Sequence, residues 1–127
     1  MVMVNKVLIE KAKTAAAMAY APYSGFKVGA ALLTSDNVIY TGCNVENSSY
    51  GLSNCAERTA VFKAICDGHK DFKELVIYSD CDNLFTPCGA CRQVISEFSA
   101  DLPITVVSRR EILQTSLEKL LPMSFKL

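Results

Sequence analysis

The chain has 127 residues, 50% of them hydrophobic and 20% charged, a length that supports a single domain over 1–127 and excludes most two-domain architectures. A chain of this size buries about two thirds of its unfolded surface, so its core stands without disulfide staples. Thirteen basic residues balance thirteen acidic ones, and a net charge of zero argues against a broad nucleic-acid binder, which needs excess Lys and Arg to neutralise phosphates.

No apolar run reaches the roughly 18 residues of a helical membrane span, so no membrane association is expected. The start, Met1-Val2-Met3-Val4-Asn5-Lys6, lacks a signal-peptide layout, and the expected location is the cytoplasm. The six cysteines are then expected to be reduced, serving metal ligation or plain burial rather than three disulfides.

In chain order, residues 5–19 are rich in Ala, Lys, Leu and Met and predict a helix with Leu8, Ala12, Ala15, Ala16 and Ala19 on its apolar face. Small alanines drive little membrane insertion, so that face is read as core. Residues 20–25, with Pro22 and Gly25, break the helix. Strands are predicted over 26–34 and 38–45, joined by a tight turn at Asp36-Asn37, residue types that tolerate positive φ. A helix over 55–67 is apolar at Ala56, Ala60, Val61, Ala64 and Ile65 and ends at Gly68. There follow a strand over 75–79, a helix over 88–98 with Val94, Ile95 and Phe98 inward, and a strand over 104–108. A short strand over 111–114 and a helical turn over 117–121, stopped by Pro122, complete the chain. This order implies an α/β fold, a mixed sheet with helices on both faces.

Three cysteines stand apart. Cys88 and Cys91 form Cys-Gly-Ala-Cys after Pro87, and Cys55 lies in Asn-Cys-Ala-Glu-Arg. Cys-x-x-Cys alone fits a redox pair or half of a zinc site; a redox pair has no need of Cys55 and Glu57. All three cysteines fall at predicted helix starts, where positive partial charge and unpaired N–H groups lower thiol pKa values and favour the metal-binding thiolate. Three ligands leave a fourth zinc position open, the arrangement of catalytic sites. Glu57, two residues after Cys55, points beside the metal rather than at it, where a carboxylate can take and return a proton. The plain alternative is a surface glutamate favoured by the helix dipole. Arg58, three residues after Cys55, is placed to hydrogen-bond the sulfurs and withdraw charge from a three-thiolate zinc, with Arg92 able to share that role. His69 is read as a loop residue, and Cys43, Cys66 and Cys81 as ordinary small side chains.

Cys55-Ala56-Glu57 followed by Pro87-Cys88-Gly89-Ala90-Cys91 matches the known signature of zinc nucleobase deaminases in its three-cysteine form. Further segments extend the likeness: Ala21-Pro22-Tyr23-Ser24-Gly25-Phe26, Gly42-Cys43-Asn44-Val45-Glu46-Asn47, and Leu120-Leu121-Pro122 followed by Phe125. Nearly the whole chain resembles the short, homotetrameric cytidine deaminases. Two departures are visible, a first hairpin turn without Asp-Gly and a short stretch at 108–111; both lie outside the zinc segments.

The resemblance implies a three-layer α/β/α sandwich around a mixed five-stranded sheet. It implies one Zn2+ per chain on Cys55, Cys88 and Cys91, with Glu57 as the catalytic proton shuttle. By the same likeness Asn44 and Glu46 bond the ribose hydroxyls, Phe26 lines the nucleoside pocket and the Ala56 N–H meets the pyrimidine carbonyl. Ser48, Tyr50 and Phe125 then reach a neighbouring subunit's site in a homotetramer. The implied activity is hydrolytic deamination of cytidine and deoxycytidine in pyrimidine salvage. The rival readings are a deaminase of a blasticidin-type nucleoside, one acting on cytosine in a polynucleotide, and a structural zinc module, which requires a fourth protein ligand.

Overall fold

The computed structural model describes residues 3–127; Met1 and Val2, part of the stretch read for a signal peptide, lie outside the described residues. The first helix, α1 (Lys6–Ala17), starts where Asn5 caps it, its side-chain oxygen accepting from the Leu8 N–H at 3.1 Å. Leu8, Ile9, Ala12 and Ala16 form its buried face. Ala15 is half-buried and the helix ends before Ala19, so Ile9 joins the face in place of those two alanines.

The strands are β1 (Val28–Thr34), β2 (Ile39–Cys43), β3 (Phe72–Ser79), β4 (Pro103–Val107) and β5 (Ile112–Ser116). The sheet runs β2-β1-β3-β4-β5. Only β3 and β4 pair in parallel, and a parallel pair needs a crossover, here the helix α3 (Gly89–Phe98). The remaining helices are α2 (Ala56–Cys66) and the short α4 (Leu117–Leu120), with a 3-10 turn at Tyr50–Leu52 that the sequence pattern did not signal.

Side-chain alternation along the strands divides the interior into two layers. Ala30, Leu32, Leu75, Ile77, Ile104 and Val106 pack with α2, α3 and α4, while Ala31, Val76, Tyr78 and Val107 pack with α1. This is the expected three-layer α/β/α arrangement around a mixed five-stranded sheet. Among the described residues no helix is long and apolar enough to cross a membrane.

Strand limits differ from the sequence pattern: β1 begins at Val28 rather than 26, β2 covers Ile39–Cys43 rather than 38–45, β4 shifts back by one residue, and β3 and β5 run further than expected. Lys73 and Glu74 interrupt the apolar run, yet β3 begins at Phe72 because Phe72 and Glu74 pair with Thr34 and Leu33 of β1. β5 extends to Ser116, which pairs with Pro103, although the strand is largely exposed and shows no apolar run.

Two glycines set how closely helices sit on the sheet. A Cβ at Gly29 meets the Ala12 carbonyl oxygen of α1 at 1.9 Å, and one at Gly42 meets the Ala56 carbonyl oxygen of α2 at 2.5 Å. Both obstacles are backbone, so they yield only if the helix moves. Gly29→Ala is therefore expected to lower unfolding free energy in urea by about 3 kcal/mol. Gly51→Ala, with open space around it, should stay within about 0.5 kcal/mol of the parent.

Candidate active site

The helices α2 and α3 begin over the end of β3, and each begins with a cysteine. Cys55 is the residue before α2 and Cys88 the residue before α3; both have extended backbones, and neither side chain caps its helix. Cys91 lies in the first turn of α3 and is fully buried. The three sulfurs lie within 4.8 Å of one another, and no His, Asp, Glu or further Cys among the described residues joins them. Cys55 Sγ is 3.8 Å from Cys88 Sγ, which is 3.5 Å from Cys91 Sγ. Sulfurs on a tetrahedral zinc, each about 2.3 Å from it, stand about 3.8 Å apart, so the trio fits that ion. All six cysteines are free, as the reduced state requires.

The charge environment prepares the trio for a cation. The Cys55 thiol is pulled down to about 5, chiefly by a hydrogen bond from Cys91 and then by the Arg58 guanidinium and Cys88, against the cost of burial. The same bond, together with burial, pushes the Cys91 thiol up. A metal bound by these sulfurs would displace the thiol protons. Arg58 Nη2 donates to Cys55 Sγ at 3.3 Å, the role its spacing implied. Arg92 does not share it. Its guanidinium donates to the Pro87 carbonyl at 2.7 Å, the Leu120 carbonyl at 2.7 Å and Thr86 Oγ1 at 2.9 Å, tying the loop before α3 to α4.

Beside the sulfurs lies a cavity of about 290 Å³. Glu57 lines it; only 5% exposed, its carboxyl is pushed up mainly by burial. The other expected substrate residues, Phe26, Asn44, Glu46 and Ala56, share the same wall. The Ala56 N–H opens α2 and so has no acceptor within the helix. A larger groove of about 910 Å³ runs between α1 and β2, but its lining contains no cysteine or histidine.

Asn44 and Glu46 also have work in the fold that the sequence did not reveal. Asn44 accepts from the Val28 N–H at 2.8 Å and donates to the Phe26 carbonyl at 2.7 Å. Glu46 accepts from the Tyr23 and Ser24 N–H groups at 3.0 and 3.1 Å and from the Ser24 hydroxyl at 2.5 Å. The Ser24 hydroxyl, ahead of those N–H groups, holds the Glu46 carboxyl below its usual range. An ionised carboxylate offers about four acceptor positions and an amide NH2 two donors, so each residue keeps at least one for a ligand.

Phe85, Thr86 and Ser79 also line the cavity and had not been singled out. Phe85 meets Phe26 edge-on, with centroids 4.8 Å apart. Its one sequence signal is an aromatic in a polar loop just ahead of Pro87-Cys88. Ser48, Tyr50 and Phe125 are not brought into this chain's cavity: Ser48 Oγ shares a hydrogen bond of 2.5 Å with the Tyr23 hydroxyl, and Tyr50 and Phe125 are 78% and 69% exposed. His69 lies in the loop after α2, 3.2 Å from Asp36, away from the sulfurs. Cys43, Cys66 and Cys81 stand outside the trio.

Residues 3–107 match the model of the cytidine and deoxycytidylate deaminase zinc-binding region. The chain belongs to this family. A cytidine deaminase of Sporosarcina psychrophila is 51% identical over 120 residues, covering 93% of this chain and 88% of that protein. A crystal structure of cytidine deaminase from Burkholderia pseudomallei superposes with a TM-score of 0.92 at 46% identity, over 97% of this chain and 100% of that one. Blasticidin-S deaminase of Bacillus cereus is more distant, 30% identical over 106 residues, 77% of this chain and 76% of that protein. As a member of a zinc-binding family, the chain takes zinc as its cofactor, and Cys55, Cys88 and Cys91 are the cluster positioned for it.

Arg58→Gln removes the cation beside Cys55. Zinc affinity, measured by competition with a chromogenic chelator, is expected to fall about 10- to 100-fold, the usual effect of losing a partner of a metal ligand. Cys81→Ser, whose sulfur donates to the Asn83 carbonyl instead, should leave it unchanged.

Proposed function

We propose that this chain catalyses the hydrolytic deamination of cytidine and deoxycytidine to uridine and deoxyuridine with release of ammonia, a step of pyrimidine salvage in the cytoplasm. The observation that carries this reading is a buried carboxylate, Glu57, on the wall of a small cavity that also bears Cys55 and Cys88. The close relatives named as cytidine deaminases support the choice of substrate.

Zinc, held by Cys55, Cys88 and Cys91, would supply an activated water as the hydrolytic nucleophile. Glu57 accepts a proton from that water and delivers it to N3 of the ring, so that the water oxygen bonds to C4. Glu57 then carries the proton of the new C4 hydroxyl to the amine. The C4–N bond breaks, ammonia leaves, and the carboxylate is restored. Burial suits this work, because a raised pKa makes the carboxylate a stronger base toward the attacking water, and a site shielded from bulk solvent passes that proton on to the ring.

The remaining residues position the nucleoside. Phe26 and Phe85 form an aromatic wall for the base, and the Ala56 N–H at the start of α2 receives the pyrimidine carbonyl. Asn44 and Glu46, each with at least one hydrogen-bonding position to spare, take the ribose hydroxyls. Ser48, Tyr50 and Phe125 complete a neighbouring subunit's site in a homotetramer, a role supported by the exposure of the two rings.

The test is ammonia release from cytidine by the zinc-loaded protein. Rapid release supports the reading; none from a folded protein carrying one zinc per chain overturns the substrate. Glu57→Gln should lower turnover at least about 100-fold with zinc content and Tm retained. Near-native turnover in that variant contradicts the proton-shuttle role.

A further inference from the structure

Leu75, Ile77 and Ser79 alternate along β3 and so face the same side of the sheet, the side beneath α2 and α3. Leu75 and Ile77 are core, and the same periodicity calls for an apolar residue at 79. Ser79 is instead a hydroxyl with no exposed surface and no hydrogen-bond partner. Its backbone is engaged, paired with Val28 of β1 and accepting from the Cys81 N–H at 2.8 Å; the side chain alone is unpaired. Such groups are rare in native proteins, because a buried hydroxyl without a partner loses its hydration for nothing in return. Alanine would pack in the same space without that cost.

The residue that bears this orphan hydroxyl borders a cavity. Ser79 lines the cavity that also holds Glu57, Ala56, Phe26 and Cys88. A hydroxyl both donates and accepts. It can accept from the exocyclic amine of an aminopyrimidine and donate to the carbonyl oxygen that replaces the amine in the product. Ser79 Oγ is the one buried side-chain oxygen without a partner among the described residues.

We infer that Ser79 is a substrate-binding residue whose hydroxyl hydrogen-bonds the polar edge of the pyrimidine ring. This rests on the nucleoside reading given above. Ser79 moves no proton in the reaction; it binds substrate and product alike.

The test compares the zinc-loaded wild type with Ser79→Ala in three measurements: kcat and KM for cytidine, Kd for uridine by calorimetry, and Tm. Loss of one hydrogen bond to the ligand should raise KM and the uridine Kd about tenfold and leave kcat within about twofold. Tm should be unchanged or higher, because the variant removes an unpaired buried group. Unchanged KM and Kd in the variant, with or without a fall in Tm, overturn the assignment while leaving the cytidine reading intact. A wild type that neither turns over cytidine nor binds uridine overturns both together.

Discussion

Three thiol sulfurs held within 4.8 Å of one another cannot all ionise without a cation among them, and much of the fold serves to hold them there. Like charges at that range repel strongly wherever water is scarce. Two helix N-termini and the Arg58 guanidinium offset part of the repulsion. The sheet delivers both helix starts to one place. Gly42 lets the first turn of α2 rest directly on β2, and the parallel β3–β4 crossover carries α3 across the same face. The metal position is therefore set by backbone packing before any ligand side chain is considered.

Around this centre, polar side chains bind backbone and so shape the cavity. Asn44 and Glu46 order the segment between α1 and β1, and Arg92 orders the loop between β3 and α3. These two stretches contribute Phe26 and Phe85, which meet edge-on across the opening. An edge-to-face pair fixes ring orientation as well as separation, giving the base a preformed wall. Arg92 also bonds the Leu120 carbonyl, which joins that wall to the C-terminal segment bearing Phe125. The arrangement couples the mouth of the site to the surface on which a neighbouring subunit is proposed to dock.

Much of this was legible in the sequence because local rules governed it. Periodicity gave the helices, the Asp36-Asn37 turn was readable from residue types with Asn37 at φ 65°, and the cysteine spacing pointed to the metal trio. What stayed hidden depended on long-range pairing. The first residues of β3 are held by their β1 partners despite two charges, and β5 is an exposed edge that only β4 defines. The division of labour between the two arginines was equally invisible. Arg58 and Arg92 each lie one helical turn from a cysteine, yet only Arg58 reaches a sulfur, since the Pro87 and Leu120 carbonyls and the Thr86 hydroxyl claim Arg92. Ser79 and Phe85 escaped for the same reason: nothing adjacent in the chain reveals that β3 and the following loop floor and wall the cavity.

The central claim is that three cysteines at two helix starts form a zinc site with one position left open for chemistry. X-ray absorption at the zinc edge of the metal-loaded protein tests it most directly. Three sulfurs at about 2.3 Å and one oxygen or nitrogen at about 2.0 Å are expected. A shell of four sulfurs, or of two, would contradict it.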